Sequence, residues 1–323
     1  MRTGSLPTVQ SSSIYFPIFF NDSMNSHLLA RLAISLGKNQ ASQELRWINH
    51  AISRGHTNLS LEDIVARRAL GEPLQYILGT YHMTLPLLSL TFPTGSQPFG
   101  PLNLLTRPPV LIPRPETEHW VLKLAESLSP TAQNPISLLD LGTGSGCIPL
   151  LLCHLWPPGS VHACAVDISP HAMRLATDNA ALYGIPQNAS ARSPQNTFKA
   201  TFANFLADHF PVGGLRTALP FDVITSNPPY IPWEEYIDLP RSVSDYEDPK
   251  ALFGGPTGLE FYHAIARFLC RKGVLGSNAL VALEVGREQA EKVEQVVLDT
   301  GLFRHTEIWL DPWGKQRTVI ARM

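Results

Sequence analysis

Apolar residues recur at steps of three and four between residues 26 and 78. Leu28, Leu29, Leu32 and Leu36 make one such series, and Leu45, Ile48 and Ile52 make another. That spacing predicts amphipathic helices, punctuated by Gly37, Gly55 and Gly71. A further helix is predicted after Ser60, a residue type that caps helix N-termini, with Glu62 and Asp63 in its first turn. Residues 26–80 thus read as a small helical domain, preceded by a segment, 1–25, with no such pattern. Between residues 81 and 110 the texture changes to a linker or hairpin rich in Pro and Gly. Its first part is apolar and lacks Asp, Glu, Lys and Arg, unusual for a solvent-exposed loop.

From Ile136 the pattern alternates. ISLLDLG and VHACAVDIS are continuous apolar runs, as expected for strands covered on both faces. Ser169 and Pro170 then supply an N-cap and a first-turn proline for the helix HAMRLATDNAALYG. FDVITSNPPYIP reads as a third strand stopped by prolines, and ALVALEVG as a fourth followed by the helical REQAEKVEQVVLDTG. FRHTEIWL and RTVIARM close the chain as a pair of strands, expected to form an antiparallel edge. Strands alternating with helices predict an α/β fold with an open, doubly wound, mainly parallel sheet across residues 111–323.

Composition narrows the function classes. The 323 residues carry 25 Lys+Arg against 27 Asp+Glu, net −2, and no long basic block. A dedicated nucleic-acid surface is therefore not expected. No run of eighteen apolar residues occurs, so no transmembrane helix is predicted. Cys147, Cys153, Cys164 and Cys270 lack metal-site spacing and are expected in or near the core, with no metal bound. The first twenty residues hold several Ser, no acid and Arg2 as their one Lys or Arg. They fit an organelle transit peptide and fit a disordered terminus equally well.

Two motifs carry chemistry. The first, DLGTGSG at 140–146, lies between a strand and a helix. Gly142, Gly144 and Gly146 allow a tight turn that brings backbone N–H groups close to a ligand, and Thr143 lies within that turn. Asp167 ends the next strand, from which a carboxylate reaches ribose hydroxyls, with Ile168 beside it. A nucleoside cofactor is expected. The pattern is GxGxG, and Asp140 precedes it; a carboxylate there would repel a pyrophosphate but suits a cationic amino-acid group. S-adenosylmethionine meets that requirement and NAD does not. Phe205 is the candidate wall for the adenine, with Asn204 next to it.

The second motif, Asn-Pro-Pro-Tyr at 227–230, ends the third strand. Pro228 and Pro229 donate no hydrogen bonds and leave carbonyls free to accept. Asn227 adds a side-chain acceptor and Tyr230 a flat face. The complementary substrate is a planar –NH2 with two donors, whose lone pair is delocalised and weakly nucleophilic. Held by Asn227 Oδ1 and the Pro228 carbonyl, that nitrogen can be oriented toward an electrophilic methyl.

Taken together, IPRPETE at 112–118, DLGTGSGC, NPPYI, ALFGG at 251–255, Gly258-Leu259 and LEVG at 283–286 resemble the HemK/PrmC-type release-factor glutamine methyltransferases. The likeness also includes GEPLQYILG at 71–79 and runs from about Gln43 to the C-terminus. It implies a seven-stranded, Rossmann-like class I methyltransferase domain preceded by a helical domain that helps hold the substrate. The substrate implied is the glutamine of the Gly-Gly-Gln tip of class I peptide-release factors, methylated on its side-chain nitrogen by a monomer that needs no metal. Carried over by residue, Gly142, Gly144, Gly146 and Asp167 bind the cofactor, Asn227 and Pro228 grip the amide, and Tyr230 packs on it. Arg114 and Glu116 shape the substrate channel or tie the linker to the core.

The chain departs from the family twice. Residues 81–96 interrupt a stretch that family members run through directly, and read as an insert, of the kind a retained intron produces, that loosens the hairpin. Asn204 stands where the family more often has Asp. Two other enzymes share the second motif's chemistry, a glutamine methyltransferase acting on a ribosomal protein and an adenine-N6 DNA methyltransferase. The latter would need a phosphate-gripping surface. The acid-poor start and the uncharged insert suggest the mitochondrial branch, with the cytoplasm as alternative.

Overall fold

The computed structural model describes residues 22–53, 57–78, 82–83, 92–93, 95–189, 194–211 and 213–323. The expectations for residues 1–21 and for most of the 81–96 insert lie outside these. Within that insert, β1 (His82–Met83) pairs antiparallel with β2 (Phe92–Pro93).

Four helices form the N-terminal unit: α1 (Asp22–Leu36), α2 (Lys38–Ser53), α3 (Leu61–Ala69) and α4 (Leu74–Leu78). Leu28, Leu32, Ile48, Ile64 and Ile77 pack there as a core of their own, drawn from the predicted three-and-four spacing. Ser60 Oγ accepts from Asp63 N at 3.1 Å, so the predicted cap forms. One buried ion pair joins two helices: Arg68 Nε donates to Glu44 Oε2 at 2.6 Å and Arg68 Nη2 to Glu44 Oε1 at 3.0 Å. Both partners are nearly fully buried, and losing either would strand a charge.

A hairpin, β3 (Ser96–Phe99) and β4 (Leu102–Leu105), follows. Gly100 turns it at φ +57°, a backbone conformation that L side chains rarely adopt. Asn179 clamps the end of the hairpin: Leu105 N donates to its Oδ1 at 2.8 Å, and its Nδ2 donates to Ser145 O at 2.9 Å. The hairpin is thereby tied to the glycine turn.

The remaining elements are α5 (Pro115–Ser127), β5 (Ile136–Leu141), α6 (Cys147–Leu155), β6 (Val161–Asp167), α7 (Pro170–Leu182), β7 (Thr197–Phe202), β8 (Phe221–Ser226), α8 (Trp233–Tyr236), α9 (Arg241–Ser244), α10 (Pro249–Leu252), α11 (Glu260–Leu269), β9 (Leu275–Glu284), α12 (Ala290–Leu298), β10 (His305–Leu310) and β11 (Gln316–Arg322). Seven strands form one sheet in the order β10-β11-β9-β8-β5-β6-β7. The five from β5 to β9 are parallel, and the terminal pair adds the antiparallel edge expected of it. Successive residues of β5 serve opposite faces, Leu138 in one core cluster and Leu139 in the other, which is why that strand reads as an unbroken apolar run. The architecture is the seven-stranded class I methyltransferase fold, with an order that reverses between β5 and β8. Ligands bind at the carboxyl ends of strands flanking such a reversal. One cysteine departs from expectation: Cys270, the C-cap residue of α11, is exposed.

Candidate active site

Parallel pairing sets Asp140 opposite Thr225 and Leu141 opposite Ser226. The glycine turn and the Asn-Pro-Pro-Tyr run therefore leave the sheet side by side at the reversal. Ser226 Oγ donates to Leu141 O at 2.8 Å and Thr225 Oγ1 to Asp140 Oδ1 at 2.7 Å, locking the two strand ends together.

The turn is built by its own backbone and the neighbouring strand. Gly142 N and Thr143 N both donate to Val166 O, at 2.9 and 3.0 Å. Gly142, Gly144 and Gly146 have φ of +72°, +55° and +81°, conformations L side chains rarely adopt. Their surroundings differ. A Cβ on Gly142 or Gly144 would meet nothing closer than 3.9 Å, whereas one on Gly146 would come within 3.2 Å of Ala176 Cβ. Gly142 and Gly144 face open space; Gly146 lets α6 approach α7.

That space is a cavity of about 780 Å³, large for a nucleoside cofactor alone and able to admit part of a substrate beside it. Of the residues singled out from the sequence, Gly142, Gly144, Asp167, Ile168, Asn204, Phe205, Asn227 and Pro229 line it. Asp140, Thr143, Gly146, Pro228, Tyr230, Arg114 and Glu116 do not. Phe205 and Phe261 meet edge to face, with ring centroids 6.1 Å apart, and form an aromatic wall.

Asp167 accepts from Gly144 N at 2.9 Å through Oδ2 and from Ser169 N at 2.8 Å through Oδ1. Each oxygen keeps a lone pair for a hydroxyl donor. Burial pushes this carboxyl above its ordinary range, while the backbone donors pull it back. Asp140 is fully buried, and burial pushes its carboxyl up to about 7, with the Thr225 hydroxyl opposing. Its Oδ2 and Thr143 Oγ1 are buried without a hydrogen-bond partner among the described residues. On the cavity, a bare glycine turn, a strand-end carboxylate and an aromatic wall fit the ribose and adenine of S-adenosylmethionine, while the Asp140 carboxylate lies behind the turn, off the cavity wall.

The second motif is held from outside. Gln289 Nε2 donates to Tyr230 O at 2.9 Å, Ile231 N donates to Leu252 O at 3.1 Å and Gly254 N donates to Ile231 O at 2.9 Å. A Cβ on Gly254 would sit 2.7 Å from Tyr230 Cα, one on Gly258 2.4 Å from Tyr230 O and one on Gly286 2.9 Å from Tyr230 Cδ2. The distant ALFGG, Gly-Leu and LEVG segments thus converge on the back of this turn, and Tyr230 lies against them rather than on the cavity wall. Neither Asn227 Oδ1 nor the Pro228 carbonyl accepts a hydrogen bond from another described residue. Arg114 Nη2 donates to Glu247 Oε1 and Oε2 at 2.8 and 2.7 Å, and Ile112 N donates weakly to Oε1 at 3.4 Å. Arg114 therefore ties the linker to the loop that carries cavity residues Asp248 and Lys250.

Sequence reasoning passed over Glu247, Phe261, Thr117 and Glu284. The last two lie inside segments recognised as motifs but carry no chemistry legible from their neighbours.

The comparisons with known proteins bear on this geometry. The chain is 35% identical over 259 residues to the release factor glutamine methyltransferase of Moorella thermoacetica, covering 80% of this chain and 77% of that one. It is 36% identical over 261 residues to that of Geobacter sulfurreducens, covering 80% and 76%. The chain belongs to the release factor glutamine methyltransferase family. It is an S-adenosylmethionine-dependent methyltransferase. The family model of ribosomal protein L11 methyltransferase matches residues 116–211, a span that carries the glycine turn and Asp167 and stops before Asn227. A solved release factor-specific protein-(glutamine-N5) methyltransferase from Alicyclobacillus acidocaldarius is 27% identical, covering 65% of this chain and 93% of that one at a TM-score of 0.38. The fold assignment rests on strand order, not on that superposition.

Proposed function

We propose that this enzyme methylates the side-chain N5 of the glutamine in the Gly-Gly-Gln tip of a class I peptide-release factor, acting in mitochondria. The reading is carried by one observation: two unshared acceptors, Asn227 Oδ1 and the Pro228 carbonyl, stand at the reversal point beside the glycine turn. Family membership supports the substrate.

Bound S-adenosylmethionine supplies an electrophilic methyl on a sulfonium sulfur. Asn227 Oδ1 and Pro228 O accept the two N–H bonds of the glutamine amide, so its lone pair faces that methyl. Orientation of this kind removes several kcal/mol of barrier, and the acceptor dipoles stabilise positive charge growing on nitrogen. Transfer of the methyl that S-adenosylmethionine would supply leaves a protonated N-methyl amide, acidic enough to release its proton to water. No strong base is needed at the motif.

The test is to incubate the enzyme with S-adenosylmethionine and a mitochondrial release factor and to map methyl groups by mass spectrometry. One methyl on the Gly-Gly-Gln glutamine is expected; its absence, with a ribosomal protein methylated instead, would replace this substrate. The compartment is supported by the Ser-rich, acid-free start with Arg2. A reporter fused to residues 1–25 should be imported into mitochondria, and a cytoplasmic reporter would reject that part of the reading.

A further inference from the structure

We propose that Thr117, itself oriented by Glu284, is a positioning residue that decides which end of the Asn227 amide faces the substrate. This rests on the reading above, in which Asn227 grips an amide –NH2.

An asparagine amide can rotate by half a turn at almost no steric cost, exchanging its oxygen for its NH2 group. At this site the exchange is fatal to the chemistry, because an NH2 presented to a substrate –NH2 sets donor against donor. Something must choose the orientation, and a short chain of hydrogen bonds does so. Asn227 lies 3.3 Å from Thr117 Oγ1 through its Nδ2. Thr117 Oγ1 lies 2.6 Å from Glu284 Oε2, and the same Oε2 receives Trp120 Nε1 at 2.8 Å.

The direction of that chain follows from valence. An indole N–H only donates, so Glu284 Oε2 is an acceptor toward Trp120. As a carboxylate oxygen it accepts from Thr117 as well. The hydroxyl has a single hydrogen, which goes to Glu284 over the shorter distance, leaving only lone pairs toward Asn227. The amide atom able to face those lone pairs is Nδ2. Oδ1 is therefore turned away from Thr117, and Asn227 is a cavity-lining residue.

The arrangement is costly as scaffolding alone. Glu284 and Thr117 are each 1% exposed, and burial pushes the Glu284 carboxyl up, with Thr117 and Trp120 pulling it down. An apolar pair would join α5 to β9 without that desolvation. Thr117 and Glu284 belong to two of the segments, IPRPETE and LEVG, that lie far from Asn227 in the chain and meet at it in the fold.

The test pairs two substitutions with opposite losses. Thr117→Val keeps the shape and removes the hydroxyl; Thr117→Ser keeps the hydroxyl and removes the methyl. For a release-factor substrate, kcat/KM of Thr117→Val should fall on the order of 10-fold, the loss of one oriented hydrogen bond. Affinity for S-adenosylmethionine, measured calorimetrically, should be unchanged, while the melting temperature falls modestly because the buried Glu284 carboxylate keeps only the Trp120 donor. Thr117→Ser should be close to the parent enzyme. Should the Val variant fail to fold, Thr117→Ala removes the same oxygen and takes its place. Full activity in the hydroxyl-free variant overturns the proposal. So does an equal loss in Val and Ser variants with a lowered melting temperature, which marks a packing role. Asn227→Ala, assayed alongside, separates the two levels. If it is inactive while Thr117→Val is fully active, only the positioning role falls; if Asn227→Ala is itself active, the reading of Asn227 falls and this one with it.

Discussion

The two turns that meet at the sheet reversal are built in opposite ways. The glycine turn leans on a single neighbour: its backbone N–H groups bond to Val166 O and to the Asp167 carboxylate, both at the end of the adjacent strand. Three positive-φ glycines shape it within five residues. The Asn-Pro-Pro-Tyr turn is held by remote chain: Thr117, Leu252, Gly254 and Gln289 supply its bonds, and Gly258 and Gly286 supply its clearance. A cofactor site can be made from backbone geometry, because it must only bind. A site that must present acceptors at a chosen angle needs its rigid support drawn from the surrounding fold.

Substitutions at five positions break or sharpen that contrast. The largest effect is expected from Asn227→Ala. It should lower methyl transfer by about 10²–10³-fold, the scale for removing one preorganised dipole, while calorimetry finds S-adenosylmethionine affinity little changed. Gly258→Ala comes next. Its Cβ would lie 2.4 Å from Tyr230 O at a φ of +76°, so the turn must shift or strain by about 1–3 kcal/mol. Activity should fall while cofactor affinity holds; Gly144→Ala, with space but a φ of +55°, should do the reverse. If both variants lose cofactor affinity equally, the contrast between the turns is wrong.

Arg114→Ala should be milder. It leaves Glu247, whose side chain is 1% exposed, without its cation, at a cost of about 1–3 kcal/mol read from denaturant unfolding. Arg114→Lys should recover part of it. The smallest effect is expected at Asp140. Its folded carboxyl is raised to about 7, above the unfolded value of roughly 4. Protonation therefore favours the fold, and stability of the cofactor-free protein should decline as pH rises from about 4 through about 7. Asp140→Asn should remove that decline and raise the melting temperature at pH 8, with no gain at pH 4. Calorimetry at the two pH values checks it, and an identical shift at both would exclude Asp140 as the source.

The legibility of the molecule divides along the same line. Helices α1 and α2 were visible because three-and-four spacing is local, and α3 because its cap is; Leu28, Leu32, Leu45 and Ile48 of that spacing lie in their core. Strands β5 and β6 were visible because double-sided burial leaves apolar runs, β8 because two prolines stop it, and β9 because a helical pattern follows it. The glycine turn, Asp167 and Asn227 were visible because each carries its chemistry within a few residues of a strand end. Three features were not. Phe261 reaches the cavity from a helix whose sequence reads as ordinary core. The glycines that pack behind Tyr230 were not legible, since Gly254, Gly258 and Gly286 are more than twenty residues away. Glu247 and Glu284 look like any acids until burial and their partners are known.

By itself, then, the sequence determined the alternation of strands and helices, the glycine turn and the chemical character of the acceptor motif, since each depends on neighbours along the chain. The tertiary structure alone decided how those pieces address a substrate. It set the two turns side by side through the register of β5 and β8, and it brought Thr117 and Glu284 to Asn227. Orientation of an amide is fixed by partners that are near only in space, and no run of adjacent residues can encode it.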